Sequence, residues 1–277
     1  MAAVPTGFVR RSEDGAEAVL RADVASPLLA AGIVDPESLR ARSAATYVGR
    51  GRPFGVDVAG AGRVFVRPYL HGGAFGRVTG GLHAGDGRFA DEVAMHVEAA
   101  AAGVPVCEAL GFVSRAAGPF RRGWLLLREI PGARDLLDLL CSALAPGRRR
   151  DLLRAAGRAI RALHDAGFDH PDLHFKNLLV EPDGTVRVLD LDRSRRRASL
   201  PRERRLAGLF RFDRYAAKQR AAGAPVSRSD RLRVFRAYAG ADWPGDGERR
   251  AIAERLRREI ARHASVRGLA RRAEARP

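Results

Sequence analysis

His170-Pro171-Asp172-Leu173-His174-Phe175-Lys176-Asn177 opens the stretch that decides how this chain is read. It continues through Leu178-Leu179-Val180, a turn at Pro182-Asp183-Gly184, a second apolar run from Val186 to Leu189, and Asp190-Leu191-Asp192. Two short apolar runs flanking a Pro-Asp-Gly turn read as a β-hairpin, because Pro presets one turn torsion and Gly supplies a positive one. The turn brings Asn177 and Asp190 side by side at the open end of the hairpin. An amide and a carboxylate converging there form a hard-oxygen site of the type Mg2+ prefers when nucleotide phosphates complete its shell. Asp172, on the loop entering the hairpin, is left to face a substrate hydroxyl. Metal holders, a carboxylate that orients the nucleophile and little covalent work for the protein are what phosphoryl transfer requires. Each residue also has a plainer reading as a loop residue bonding its own backbone. His170 reads as a brace for the loop rather than a base. A rival reading makes His170, Asp172 and His174 the metal ligands of a hydrolase, since alternate positions of an extended segment share one face. Asp192 reads either as a second metal or substrate-side carboxylate or as an ion-pair partner of nearby arginines.

Outward from this stretch, Leu152, Leu153, Ala156, Ile160 and Leu163 mark one face of a helix that ends at Gly167. Upstream, Gly49, Gly51, Gly55, Gly60 and Gly62 punctuate short runs leading into Arg63-Val64-Phe65-Val66-Arg67, the texture of hairpin strands. Residues 88–102 have helical periodicity, stopped by Gly103-Val104-Pro105. Trp124-Leu125-Leu126-Leu127 reads as a buried strand, and the Pro131-Gly132 break after it sets a boundary at residues 128–132. The order is β-rich first and helix-rich second, an α+β arrangement. It divides into an N-terminal segment of unassigned role (1–46), a β-rich lobe with one helix (47–130) and a mainly helical lobe (131–277). Residues 204–221 and 247–263 read as amphipathic helices.

The 277 residues are 46% hydrophobic and 29% charged, a balance that excludes a wholly disordered chain. The formal net charge of +17 points to an anionic partner: nucleic acid, an acidic membrane surface or a phosphorylated small molecule. Residues 193–220 hold eleven of the Arg and Lys residues against Glu203 and Asp213. In the helix at 204–221, Leu206, Leu209, Phe210 and Ala217 are expected on the apolar side, with Arg204, Arg211, Arg214 and Lys218 opposite as a platform for an acidic acceptor. A nucleic-acid binder is disfavoured, because the basic runs lack clustered aromatics (6% overall). Two cysteines build neither a disulfide framework nor a Cys-based zinc site, and no signal-like segment opens the chain, so a cytoplasmic location is expected.

The loop His-x-Asp-Leu-x-x-x-Asn, with an Asp 13 residues after the Asn, resembles protein-kinase-like enzymes. More narrowly, the chain resembles the lipopolysaccharide kinase family, bacterial enzymes that phosphorylate 3-deoxy-manno-octulosonic acid (Kdo) or heptose. The likeness is carried by Leu163-His164-Asp165-Ala166-Gly167, His170-Pro171-Asp172-Leu173, Asn177-Leu178-Leu179 and Leu189-Asp190-Leu191-Asp192-Arg193. It extends to Val66-Arg67-Pro68-Tyr69-Leu70-His71-Gly72-Gly73 and to Glu92, 11 residues before Gly103. The resemblance implies a bilobal protein-kinase-like fold using ATP and Mg2+. Asp172 would be the catalytic carboxylate, with Asn177 and Asp190 holding the metal, Arg67 and Glu92 fixing the phosphates, and the backbone near Glu129 and Ile130 meeting adenine. Gly49 and Gly51 would form a phosphate loop or a plain turn. A protein kinase places a Lys on its third strand, but this chain has no Lys before Lys176, so Arg67 is expected in that place. The implied acceptor is Kdo of Kdo-lipid A, reached from the cytoplasmic side of the inner membrane. The open alternative is another small-molecule or protein kinase of the same fold, such as an aminoglycoside phosphotransferase.

Overall fold

Trp124 to Leu127 is apolar at four successive positions, which requires a strand buried on both faces. The computed structural model, which describes residues 4–13, 15–43, 45–47, 51–70 and 80–240, provides that environment. In chain order, the N-terminal half contains β1 (Phe8–Glu13), β2 (Ala16–Arg21), α1 (Ala25–Ala30), α2 (Pro36–Arg42), β3 (Ala45–Thr46), β4 (Phe54–Val58), β5 (Gly62–Pro68), α3 (Gly87–Ala101), β6 (Ala109–Ala117) and β7 (Phe120–Arg128). The strands form one seven-stranded sheet in the order β1-β2-β6-β7-β5-β4-β3, and every pairing is antiparallel. Leu126 and Trp124 pack with Leu28, Ile33 and Phe54 on the face covered by α1, while Leu125 and Leu127 pack with Phe89 and Val93 of α3 on the other. Residues before Tyr47, unassigned from periodicity, therefore supply three strands and the helical cover of one face. At Gly123 an added Cβ would lie 2.4 Å from the Phe89 ring, so the missing side chain lets α3 sit close to the sheet.

The second half continues with β8 (Arg134–Asp135), α4 (Leu136–Cys141), α5 (Pro146–Asp165), β9 (Phe168–Asp169), β10 (Leu178–Val180), β11 (Val186–Val188), β12 (Arg195–Arg196), α6 (Arg202–Ala221) and α7 (Arg228–Ala239). A separate core forms here, in which Leu153, Ile160 and Leu163 of α5 meet Phe175, Leu178, Val188, Phe212 and Val234. The architecture is an α+β, kinase-like fold. The expected hairpin is present, with Leu178 paired to Val188 and Val180 to Val186. Its second strand is tied back to the other half by the Val188 N–H, which donates to the Pro105 carbonyl at 2.7 Å.

One expectation is corrected. The buried face of α6 is Phe210, Phe212, Asp213 and Ala216, whereas Leu206, Leu209 and Ala217 are only half-buried. Phe212 stacks on Phe175 at 4.3 Å, and Asp213 is held by both forks of Arg231 (2.6 and 2.5 Å), so a buried ion pair and an aromatic pair set the helix rotation. Arg211 is consequently turned inward, while Arg204, Arg214 and Lys218 remain exposed. The expected helix at 247–263 lies outside the described residues.

Helix α5 carries Gly157 where α7 crosses it, and a Cβ there would lie 2.3 Å from the Val234 carbonyl oxygen and 2.8 Å from Ala237 Cβ. Gly157→Ala should therefore destabilise the chain by about 1–3 kcal/mol through overpacking, despite the better helix propensity of Ala. Gly147→Ala, with nothing within 4 Å of the new methyl, should leave Tm unchanged or higher. Thermal unfolding of the two variants makes the comparison; equal Tm values would show that α7 does not press on Gly157.

Candidate active site

The loop between β9 and β10 is held by His170, which is buried. Its Nδ1 accepts from the Asp172 N–H at 3.1 Å, so Nε2 carries the proton and donates to the Leu189 carbonyl at 2.9 Å. Burial lowers the pKa of the ring and keeps it neutral. The imidazole thus ties the loop to the strand that delivers Asp190. With both nitrogens spent, His170 has none left for a metal, and no group of three or more His, Cys, Asp or Glu side chains among the described residues could hold one. The hydrolase reading is corrected on that ground.

Phe175, stacked on Phe212, anchors the far end of the same loop to α6. Between the two anchors Asp172 projects outward, its side chain 71% exposed, with His174 Nε2 3.4 Å from Oδ2. The His174 ring stacks on Tyr215 at 4.3 Å. Arg211 donates to the His170 carbonyl at 2.8 Å, so a basic residue expected on the outer platform instead supports the loop backbone.

At the open end of the hairpin Asn177 is paired with Leu189, next to Asp190. The Leu189 N–H donates to the Asn177 carbonyl at 2.9 Å, which places Asp190 one residue beyond that pairing. The Asn177 side-chain NH2 donates to the Asp172 carbonyl at 2.8 Å, leaving its Oδ1 as an oxygen donor. Asp190 has φ +58°, a conformation that non-glycine residues rarely hold, and its carboxylate is 35% exposed. One of its oxygens accepts from Arg67 Nη1 at 2.9 Å. The other, with Asn177 Oδ1, provides hard oxygens that fit a divalent cation sharing nucleotide phosphates.

Arg67, near the end of β5, is the hub. Its Nη2 donates to Glu92 of α3 at 2.6 Å while Nη1 holds Asp190. Burial works against the charged guanidinium, but the Glu92 and Asp190 carboxylates outweigh it and raise its pKa. Burial pushes the Glu92 carboxyl up to about 7, with the Arg67 charge pulling the other way. The Tyr69 ring lies under Arg67 at 5.4 Å and under Arg88 at 5.7 Å. Asp192 is gripped by Arg88 through both oxygens, at 3.0 and 2.6 Å. Nothing in the sequence singles out Arg88, although it stands one helical turn from Glu92 on the same face.

Below the sheet, a cavity of about 140 Å3 is lined by Phe65, Cys107, Leu127, Ile130, Leu179 and Leu189. The Glu129 carboxylate is fixed by the Tyr47 hydroxyl at 2.6 Å and by Arg63 at 2.8 and 2.9 Å. Gly55 leaves the space it fills, since a Cβ there would lie 2.0 Å from Glu129 Oε2. The Glu129 N–H is spent on the Arg63 carbonyl at 3.0 Å. The Ile130 carbonyl accepts from the Ala133 N–H at 3.1 Å, and Ile130 lines the cavity. Gly51 (φ +76°) turns the chain against Pro68 and Leu70, 3.1 Å from an added Cβ. Gly49 lies outside the described residues.

Residues 50–238 match the model of the lipopolysaccharide kinase (Kdo/WaaP) family. The chain belongs to that family. Similar curated proteins are 3-deoxy-D-manno-octulosonic acid kinases: one from Photobacterium profundum, 33% identical over 46% of this chain and 55% of its own length, and one from Xanthomonas oryzae pv. oryzae, 34% identical over 59% and 66%. A third, from Stenotrophomonas maltophilia, is 38% identical over 32% and 35%. The chain thus spans about half the length of the first of these relatives. The family match includes Arg67, Glu92, Glu129, Ile130, Asp172, Asn177 and Asp190, and begins one residue after Gly49.

Two measurements follow from the titrating groups of this cleft. Burial pushes the Cys107 thiol up to about 12, whereas Cys141 is exposed. An aromatic disulfide reagent at pH 8 should therefore titrate one thiol in the native protein and a second only on unfolding; two fast native thiols would place Cys107 in contact with solvent. Because Glu92 titrates near 7 in the folded chain against an ordinary 4.5, the folded state holds a proton between those values that the unfolded chain has released. Its contribution to stability falls as pH rises across that window. Glu92→Gln should flatten this part of a urea-midpoint profile relative to the wild type; parallel profiles would contradict the raised value.

Proposed function

We propose that this chain is an ATP-dependent kinase that transfers the γ-phosphate to a sugar hydroxyl of the lipopolysaccharide inner core, with Kdo of Kdo-lipid A as acceptor. The observation that supports it best is the Arg67 bridge from Glu92 (2.6 Å) to Asp190 (2.9 Å), whose chain neighbour Leu189 lines an apolar cavity. Arg67 and Glu92 are assigned to the donor phosphates: the guanidinium keeps its charge and grips phosphate with a planar fork. Ile130 and the cavity wall take the adenine. Asn177 and Asp190 are the residues assigned to Mg2+, which when bound neutralises charge on the transferring group. Asp172, held outward by His170 and Phe175, accepts the proton of the acceptor hydroxyl as that oxygen bonds to the γ-phosphorus and the bond to the β-phosphate oxygen breaks. The remaining contribution is positioning in a fixed electrostatic frame.

The same reading divides the chain into lobes near residues 128–132, with nucleotide between them. Kdo as acceptor is supported by the names of the curated relatives. A location on the cytoplasmic face of the inner membrane is supported by the net charge of +17 and by the exposed Arg195, Arg204, Arg214 and Lys218. Among the described residues no helix is long and apolar enough to cross a membrane.

Mass spectrometry of Kdo-lipid A incubated with ATP, Mg2+ and the protein should show a gain of one phosphate; transfer to heptose or to an aminoglycoside instead would reassign the acceptor. Asp172→Ala and Asp190→Ala should each lower turnover by at least about a hundredfold with circular dichroism unchanged, and wild-type turnover in either would remove these roles. Arg67→Ala should raise the KM for ATP or collapse kcat. Reversing the charges of Arg204, Arg214 and Lys218 should weaken binding to anionic vesicles while ATP binding stays as it was; equal vesicle binding would reduce this patch to solvated surface.

A further inference from the structure

Asp192 is an open question in the sequence, where it reads equally as a metal or substrate carboxylate and as an ion-pair partner. Both of its oxygens accept from one guanidinium, with Arg88 Nε at 3.0 Å and Nη2 at 2.6 Å, and the side chains of Asp192 and Arg88 are only 16% and 23% exposed. Arg193, the neighbour that could compete for it, is 70% exposed and no closer than 3.9 Å. Arg88 lies on the first turn of α3, and Glu92 lies one turn further along the same face. The helix therefore sends two parallel links to one short segment: Glu92 through Arg67 to Asp190, and Arg88 directly to Asp192. Both guanidinium groups lie over the Tyr69 ring, which spaces them. The start of α3 is itself tied to the sheet by the Asp86–Arg121 ion pair at 2.8 Å.

The segment that receives these links needs holding. Asp190 and Arg193 both have φ +58°, and two non-glycine residues in the left-handed region within four positions persist only where surrounding contacts over-determine the backbone. Leu191, fully buried between the two aspartates, and the Ser194 N–H donating to the Leu191 carbonyl at 2.9 Å supply part of that restraint. The bidentate ion pair to Asp192 supplies the rest from the opposite half of the molecule.

We infer that Arg88 and Asp192 are positioning residues: a built-in clamp that fixes α3 against residues 190–193, so that Glu92, Arg67 and Asp190 stay assembled. Asp192 acts through Arg88 and stands outside the metal's shell. The functional side of this inference rests on the kinase reading, but the clamp has a readout of its own. Hydrogen–deuterium exchange should show amides of residues 87–101 exchanging about tenfold faster in Arg88→Ala and in Asp192→Ala than in the wild type. The charge swap Arg88→Asp with Asp192→Arg should restore most of that protection relative to Arg88→Asp alone. In the phosphotransfer assay both single variants should lose about tenfold or more in kcat/KM for ATP with the same Mg2+ requirement, and the swap should recover activity. Wild-type exchange and activity in Arg88→Ala, or a swap no better than Arg88→Asp, would overturn the clamp. So would a raised Mg2+ requirement in Asp192→Ala that Arg88→Ala does not share, since that is the behaviour of a metal ligand. If the wild type transfers no phosphate, the kinase reading falls and exchange alone decides the clamp.

Discussion

A single guanidinium joins strand, helix and hairpin in this protein. Arg67 leaves the end of β5, meets a carboxylate that is wholly buried in α3, and reaches across to the residue that follows the β10–β11 hairpin. Its planar fork satisfies both partners at once, one through each terminal nitrogen, which a lysine ammonium on a flexible stem would do with less directional control. Burying Glu92 without that partner would leave an unpaired charge in the core. The position of α3 relative to the sheet and the orientation of Asp190 are thus set by one side chain.

The sheet explains how that side chain is delivered. Because β5, β6 and β7 are covered by α1 on one face and α3 on the other, alternate residues of the apolar run 124–127 face different cores, and the strand cannot slip by one position without exchanging them. Val64 and Val66 point to the first core, so Arg67 necessarily points to the α3 side. Glycines at 55 and 123 remove side chains where Glu129 and Phe89 need the space. Register and close approach together put the Arg67 guanidinium within reach of Glu92.

Much of this is legible in the sequence. The hairpin was readable because its turn chemistry is local, and the pairing that sets Asn177 opposite Leu189, next to Asp190, follows from hairpin geometry alone. The resemblance to kinases, together with the absence of lysine before residue 176, pointed to Arg67, and Glu92 came through the resemblance alone. Arg88 was not readable, since nothing separates it from the other arginines until α3 is placed beside Asp192. The rotation of α6 was misjudged because periodicity counts apolar residues, whereas a buried Asp213–Arg231 pair decides which face turns inward. The strands before Tyr47 escaped for a different reason: β1 is half exposed and rich in arginine, so its place at the edge of the sheet leaves little pattern to find.

The arginine on β5 also changes what kind of reagent could block this cleft. Electrophiles aimed at a strand-borne amine have nothing to attack there, because a guanidinium stays protonated at every pH a cell reaches and is a poor nucleophile. The thiol lining the apolar cavity is equally unhelpful, being buried and protonated. Selective occupancy would have to come from shape and from planar anions that match the fork, and a compound that displaced Glu92 from it would loosen the helix as well as fill the pocket.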